Sequence, residues 1–294
     1  MVNSPMNLRS PLRYPGGKSR ALRRIFAKFP PQIEEFREPF VGGGSVFIEF
    51  KRLYPQIPVW INDLNPEVYC FWKAAQSQLP ELVEKVRDIK ANRQDGRELF
   101  EELANVDVEE LSEVDRAVRF FVLNRITFSG TIEAGGYSQK SFEERFTDSS
   151  IARLSQLKSV LKNVKITNLD YSELLKKPGR NVLIFLDPPY FTATKSKLYG
   201  KRGALHANFD HQRFAKDLKA CSHNWLITYD DCEEVRQDFE FANLYEWQLQ
   251  YGMNNYKQGK AEKGAELFIT NYSAFESFET QKKDETAVQL KLNL

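Results

Sequence analysis

Apolar positions fall along this chain in two rhythms. Between residues 17 and 29, Leu22, Ile25, Phe26 and Phe29 recur at helical spacing. Residues 36–40 then read as a short strand that runs into Gly42-Gly43-Gly44, followed by a helix over 45–54. Residues 58–63 read as a second strand and 65–76 as the next helix. Strand, helix, strand, helix predicts a parallel sheet. From residue 79 to 162 charged helical patterns dominate, as in 108–121, and residues 127–141 are instead rich in Gly, Ser and Thr. Strand-like text resumes at 164–168, Val182–Leu186, 225–229 and 266–271. The pattern predicts an α/β fold: a doubly wound, mostly parallel sheet from residues 1–77 and 163–278, interrupted by a helical insertion over 78–162. Residues 279–294 are polar and read as a flexible tail.

Composition narrows the class. Of 294 residues, 41% are hydrophobic and 13% aromatic, enough for a sizeable core. A bilayer span takes about 20 consecutive apolar residues, and neither such a run nor an apolar leader is expected here, which points to the cytoplasm and away from a membrane. Cys70, Cys221 and Cys232 are few and scattered, and the three histidines lack ligand spacing, so neither a disulfide framework nor a metal site is expected. The net charge of +2 hides an uneven distribution. Residues 1–33 hold seven basic residues and no acid. Residues 191–209 hold four, Lys195, Lys197, Lys201 and Arg202, and again no acid. Two basic segments on an otherwise acidic body fit a local footprint for a polyanion, or simply two solvated surfaces.

Two stretches carry candidate chemistry. Phe40-Val41-Gly42-Gly43-Gly44 lies between a strand and a helix. Glycines there allow a tight turn and close approach of a ligand to the backbone. Asp63 follows Gly44 by 19 residues at the end of the next strand, where an acid fits a ribose hydroxyl or caps the following helix. The dinucleotide pattern is not met, because Phe47 stands where its third glycine belongs. The second stretch is Asp187-Pro188-Pro189-Tyr190, directly after the apolar run Val182–Leu186. A run buried on both faces is a central strand, so Asp187 falls at its carboxyl end, where open sheets bind ligands. The prolines donate no N–H and leave carbonyl acceptors. A carboxylate, a carbonyl and a tyrosine ring together suit a planar group bearing an amine, such as a nucleobase.

Asp187-Pro188-Pro189-Tyr190 after an apolar strand, with Phe40-x-Gly42-x-Gly44 upstream, resembles the S-adenosylmethionine-dependent amino methyltransferases. The order of glycine site, long insertion and Asp-Pro-Pro-Tyr, with the opening Tyr14-Pro15-Gly16-Gly17-Lys18, resembles the Dam-type DNA adenine-N6 methyltransferases, which have a Rossmann-like fold. Leu123-Asn124-Arg125, Phe209-Asp210-His211 and the stretch from Glu266 to Tyr272 match as well. The resemblance implies methyl transfer from S-adenosyl-L-methionine to the N6 amine of an adenine flipped out of specific double-stranded DNA. Asp187, Pro188, Pro189 and Tyr190 would form the catalytic site. Tyr14, Gly16, Gly17, Lys18, Phe40, Gly42, Gly44, Asp63, Asp170, Tyr171 and Asp187 would hold the cofactor. The insertion would recognise the target, with Asn124, Arg125, Phe128, Ser129 and Tyr137 at the DNA, joined by Lys195, Lys197, Lys201 and Arg202. Residues 127–131 and 135–138 depart from the Dam recognition loop, so the Dam target does not carry over. A cognate restriction endonuclease and association with the nucleoid are further implied. An RNA adenine or protein-glutamine methyltransferase would share much of this site, and a catalytically silent DNA-binding module on the same fold is the alternative of another class. A nucleotide-dependent oxidoreductase is disfavoured by the missing third glycine.

Overall fold

The computed structural model describes residues 8–132, 135–191, 209–249 and 264–274. Seven described strands form one sheet: β1 (Glu35–Glu38), β2 (Val59–Asn62), β3 (Val164–Thr167), β4 (Val182–Leu186), β5 (Asn224–Asp230), β6 (Asn243–Leu249) and β7 (Gly264–Thr270). Their order is β3-β2-β1-β4-β5-β7-β6. Strands β1 to β5 pair in parallel. β7 runs antiparallel to both β5 and β6. The doubly wound, mostly parallel sheet read from the sequence is the architecture that forms.

Alternation along the strands explains the layers. In β4, Leu183 and Phe185 join one apolar cluster while Val182, Ile184 and Leu186 join another on the opposite face. Helices α1 (Leu22–Phe26), α2 (Ser45–Leu53) and α3 (Pro66–Ser77) cover the first face. The segment between β2 and β3 adds α4 (Leu79–Asn92), α5 (Gly96–Asn105), α6 (Glu113–Ile126), α7 (Gln139–Arg145), α8 (Asp148–Ser155) and α9 (Leu157–Val160). Helices α10 (Tyr171–Lys176), α11 (His211–Lys219) and α12 (Glu233–Asp238) cover the second face. The inserted helices share the first apolar cluster instead of enclosing a core of their own. Phe71 of α3 meets Phe120 and Phe121 of α6 at 5.6 and 6.2 Å between ring centroids. Buried Glu67 of α3 also takes Arg116 at 2.5 Å and Arg119 at 3.5 Å from α6.

Local chemistry fixes the ends. Asn65 caps α3 by accepting the Glu67 N–H, with Pro66 in the first turn. The helix expected across residues 17–29 is broken into a 3-10 turn over Lys18–Arg20 and the short α1. The break has a cause: Lys18 is drawn inward to the sheet edge and is buried. No described helix is long and apolar enough to cross a membrane.

Candidate active site

The sheet order reverses between β1 and β4. Ligands of open α/β sheets bind outside the carboxyl ends of the strands at such a point. Glu38 ends β1 and Asp187 follows β4 directly, so both stand at this edge.

The glycine turn after β1 is shaped as much by the protein as by any ligand. Gly42 and Gly44 have φ of +43° and +70°, which side chains rarely adopt. A Cβ on Gly42 would lie 2.6 Å from the Tyr14 ring, so the tyrosine of the opening motif rests on the turn. A Cβ on Gly44 would strike Phe47 and lie 2.6 Å from Trp72. The Trp72 indole donates to the Gly42 carbonyl at 3.0 Å, and the Ser10 hydroxyl donates to the Gly43 carbonyl. Asp63 does not cap α3. It staples the turn, accepting the Gly42 N–H at 2.9 Å on Oδ2 and the Asn65 N–H at 2.9 Å on Oδ1. Burial pushes its carboxyl up to about 6, against the pull of those two N–H groups.

Beside the turn lies an aromatic wall. The Phe40 ring stacks on Tyr171 at 5.7 Å and meets Phe209 and Phe214 edge-on at 5.8 and 6.0 Å. The Tyr171 hydroxyl donates to Asp217 at 2.8 Å. Asp170 caps α10 by accepting the Ser172 N–H and pairs with Arg213 at 2.8 Å. Partial burial raises its carboxyl, but the Ser172 and Arg213 hydrogen bonds prevail and hold it below the ordinary value.

Asp187 takes polar partners from two elements, the opening segment and β5. Gly16, at φ +71°, turns the opening motif so that Lys18 points inward. The Lys18 ammonium reaches Asp187 Oδ1 at 2.7 Å and donates to the Gly16 carbonyl at 2.8 Å. Gly17 closes the turn by donating to the Tyr14 carbonyl at 3.0 Å. The Thr228 hydroxyl of β5 donates to the same Oδ1 at 2.8 Å. Pro188 is buried and Pro189 half-buried. The Tyr190 ring packs near Tyr229, 6.0 Å between centroids, with the Lys18 ammonium 5.0 Å from its own centroid. Two further carboxyls close the corner. Glu38 is fully buried below Asp187 and Asp63, its Oε2 without a partner among the described residues. Burial, then the charge of Asp187, push it well above the usual range. Glu266 of β7 is buried beside Tyr190 and Lys18. The sequence alone assigns no role to Thr228, Glu38 or Glu266. An acid opening the apolar stretch Leu267-Phe268-Ile269 was the available signal for the last.

The expected DNA-side residues separate. Asn124 is fully buried and holds the opening segment: its Oδ1 accepts the Arg13 N–H at 2.8 Å, and its amide donates to the Arg13 carbonyl at 2.6 Å. It therefore has no surface to offer directly. Phe128 is 67% exposed, beside Ser129 at φ +57°, on a loop closed by the Thr127–Tyr137 bridge. Tyr137 is half-buried and its hydroxyl donates to Gln139. Arg125 is buried with its Nε unpartnered among the described residues. Burial, then the neighbouring charges of Arg153, Arg13 and Arg145, push it down to about 9. Lys195, Lys197, Lys201 and Arg202 lie outside the described residues.

Comparison with known proteins follows the same lines. The profile of the D12 class N6 adenine-specific DNA methyltransferases matches residues 14–253. The chain is similar to the type II methyltransferase M1.LlaDCHI of Lactococcus lactis subsp. cremoris, 24% identical over 92% of this chain and 98% of that protein. It is similar to the type II methyltransferase M.MjaIII of Methanocaldococcus jannaschii, 24% identical over 91% of this chain and all of that protein. A DNA adenine methylase of Vibrio cholerae is 21% identical over 79% of this chain and 85% of its own length.

Proposed function

Because this chain belongs to the D12 class N6 adenine-specific DNA methyltransferase family, we propose that the Asp187 corner is where the adenine amine is held and methylated. The enzyme is a DNA adenine-N6 methyltransferase, and a methyl donor is implied by that activity. The observation that carries the assignment is the position of Asp187 at the carboxyl end of β4, with Lys18 and Thr228 both on Oδ1. That arrangement leaves Oδ2 to accept one amine N–H, and the Pro188 carbonyl to accept the other. Held by both hydrogens, the amine directs its lone pair out of the ring plane. Alignment of this kind is worth roughly 7–11 kcal/mol over a bimolecular encounter. The Asp187 carboxylate also offsets the positive charge that develops on nitrogen.

The residues at the edge fit S-adenosyl-L-methionine as the donor. The Asp63 carboxylate, with lone pairs beyond those taken by Gly42 and Asn65, would accept the ribose hydroxyls. Phe40 and Tyr171 would flank the adenine ring, with Asp170 at the helix start beside it. The orphaned, buried oxygen of Glu38 at the same edge leaves an acceptor for a donor's ammonium. Tyr14, Gly16, Gly17 and Lys18 would cover the amino-acid end. When bound, such a sulfonium supplies an electrophilic methyl carbon.

The target is one adenine of a specific duplex sequence. Its amine is paired and stacked there, so the base must leave the helix at a cost of a few kcal/mol. Tyr190 would stack on the extruded base and return about 1–3 kcal/mol. Arg13, Arg145 and Arg153 would hold backbone phosphate, with buried Arg125 backing them through its charge. Among the described residues, Glu144 approaches this group, 3.7 Å from Arg145. Phe128 and Ser129 would meet the duplex at the exposed loop, Tyr137 would support that loop, and Asn124 would act through Arg13. Lys195, Lys197, Lys201 and Arg202 would add phosphate contacts. The similarity to proteins named type II methyltransferases supports a cognate restriction endonuclease as partner, and a DNA substrate supports work in the cytoplasm at the nucleoid.

Asp187→Ala tests the assignment. It abolishes transfer of tritium from labelled donor to adenine in duplex DNA, while the donor still binds by calorimetry. Undiminished transfer by this variant would remove Asp187 from the reaction.

A further inference from the structure

Next to the Asp187 corner, buried polar atoms stand without ordinary hydrogen bonds among the described residues: both oxygens of Glu266, the Tyr190 hydroxyl and the Trp247 indole nitrogen. Buried polar atoms are normally paired, so a group of orphans in one place calls for a reason. The sheet register brings them together. Glu266 lies opposite Asp230 on β5 and opposite Trp247 on β6. Side chains directly opposite one another in an antiparallel pair project to the same face. That face carries Leu226 and Phe268 of the first apolar cluster. Lys18 arrives from the opening segment and Tyr190 from the turn after β4. The Tyr190 hydroxyl lies close enough to the Glu266 carboxyl to lower it, though the pair lacks ordinary hydrogen-bond geometry.

Among the described residues, the charged and titratable groups facing Glu266 are Lys18, Asp187, Tyr190 and Asp230. The Lys18 ammonium thus faces two carboxyl groups, Glu266 and Asp187, and Asp187 holds it at 2.7 Å. Asp230 is engaged elsewhere, accepting the Phe191 N–H at 3.0 Å.

We propose that Glu266 is a positioning residue for methyl transfer: its ionised carboxylate shares Lys18 with Asp187 and fixes the Tyr190 hydroxyl, so that Asp187 becomes the stronger acceptor for the amine. With Glu266 neutral, Lys18 stays on Asp187 and blunts it as an acceptor. With Glu266 ionised, the ammonium is shared and Tyr190 gains an anionic acceptor. Burial pushes Glu266 up to about 7, with Lys18 pulling down, Asp187 pushing up, Tyr190 pulling down and Asp230 pushing up. The switch therefore lies in the working range of pH. The inference rests on the reading of Asp187 as the amine acceptor.

Single-turnover rates across pH test it. In the wild-type enzyme the rate of transfer rises as pH increases through about 7. Glu266→Gln keeps the shape and loses the charge, so the rise disappears and the rate at about pH 8 falls about tenfold, equivalent to about 1.4 kcal/mol of lost transition-state stabilisation. KM for DNA and for the donor stays unchanged, which a structural role alone would not predict. Glu266→Asp keeps the charge and restores the rise. A Glu266→Gln enzyme with the wild-type rate and the wild-type pH profile overturns the proposal. Should that variant melt early, Glu266→Asp decides: a retained rise supports the proposal and a flat profile overturns it. Asp187→Ala run alongside separates the two levels, since undiminished labelling of adenine by that variant sinks the Asp187 reading itself.

Discussion

Asp63 accepts the Gly42 and Asn65 N–H groups and still has lone pairs to offer, because an ionised carboxylate has about four acceptor sites. Because burial disfavours its charge, fold stability and ligand binding respond to its ionisation in opposite directions. The folded-state carboxyl, at about 6, lies above the ordinary value of 3.8. Its contribution to fold stability is therefore fully present below 3.8 and is lost as pH rises through about 6. On the proposed reading donor binding needs the ionised form, so donor affinity is expected to fall as pH drops through about 6. Asp63→Asn removes that pH dependence and weakens donor binding by about 1.5–3 kcal/mol, the worth of hydrogen bonds to a charged acceptor. Isothermal calorimetry on both sides of that pH reads both effects, and an Asp63→Asn protein with wild-type affinity would leave Asp63 as a staple only. The places of Asp63 and Asp187 were legible in the sequence, because each directly follows a strand. Thr228 and Glu266 were not, because their partners come from strands far away along the chain. Asn124 was read as a DNA contact from its place in a motif, and the chain alone does not show that its amide is spent on Arg13.

The elements were legible where their apolar pattern was strong. The run Val182–Leu186 is uniformly buried, and it forms β4 with the expected bounds. β6 was missed because it lies at the sheet edge, and its text, Asn-Leu-Tyr-Glu-Trp-Gln-Leu, breaks the apolar run with charge and amide. Its pairing with β7, itself antiparallel, is a tertiary outcome that no local signal announces. The glycine turn was legible as a turn, but its reason was only half visible. Sequence offered a ligand as the body that glycine admits, and the structure adds Tyr14, Phe47 and Trp72 as bodies already there. Gly44→Ala therefore acts on the fold first. Its Cβ must displace Phe47 or Trp72 from a packed core, and its φ of +70° adds strain. Overpacking of this kind costs about 1–3 kcal/mol. The urea midpoint falls by the equivalent amount with an unchanged slope, and a midpoint equal to the wild type would mean that the turn has room to spare.

At the scale of the whole molecule, charge and shape must agree on where a duplex lies. The body outside the two basic segments is net acidic and would repel a polyanion over most of its surface. Binding then depends on local clusters, and the described one joins the opening segment to the inserted helices. Arg13 belongs to the former, while Arg125, Arg145 and Arg153 lie on or at the ends of α6, α7 and α8. Burying Arg125 among like charges is unfavourable in the free protein, as its lowered pKa records. On the proposed reading a phosphate placed beside the cluster relieves that repulsion, and part of the affinity is expected to come from it. Arg145 and Arg153 can be changed without opening a hole at Arg125. Arg145→Gln with Arg153→Gln should weaken binding about equally for target and non-target duplexes, because phosphate contacts carry no sequence information. The slope of log affinity against log salt should shrink by about 0.9 for each phosphate that the variant no longer neutralises. Fluorescence anisotropy from about 50 to 200 mM salt measures it. If the slope is unchanged and only the target duplex binds more weakly, the cluster reads bases and not backbone, and the duplex approaches the inserted helices differently.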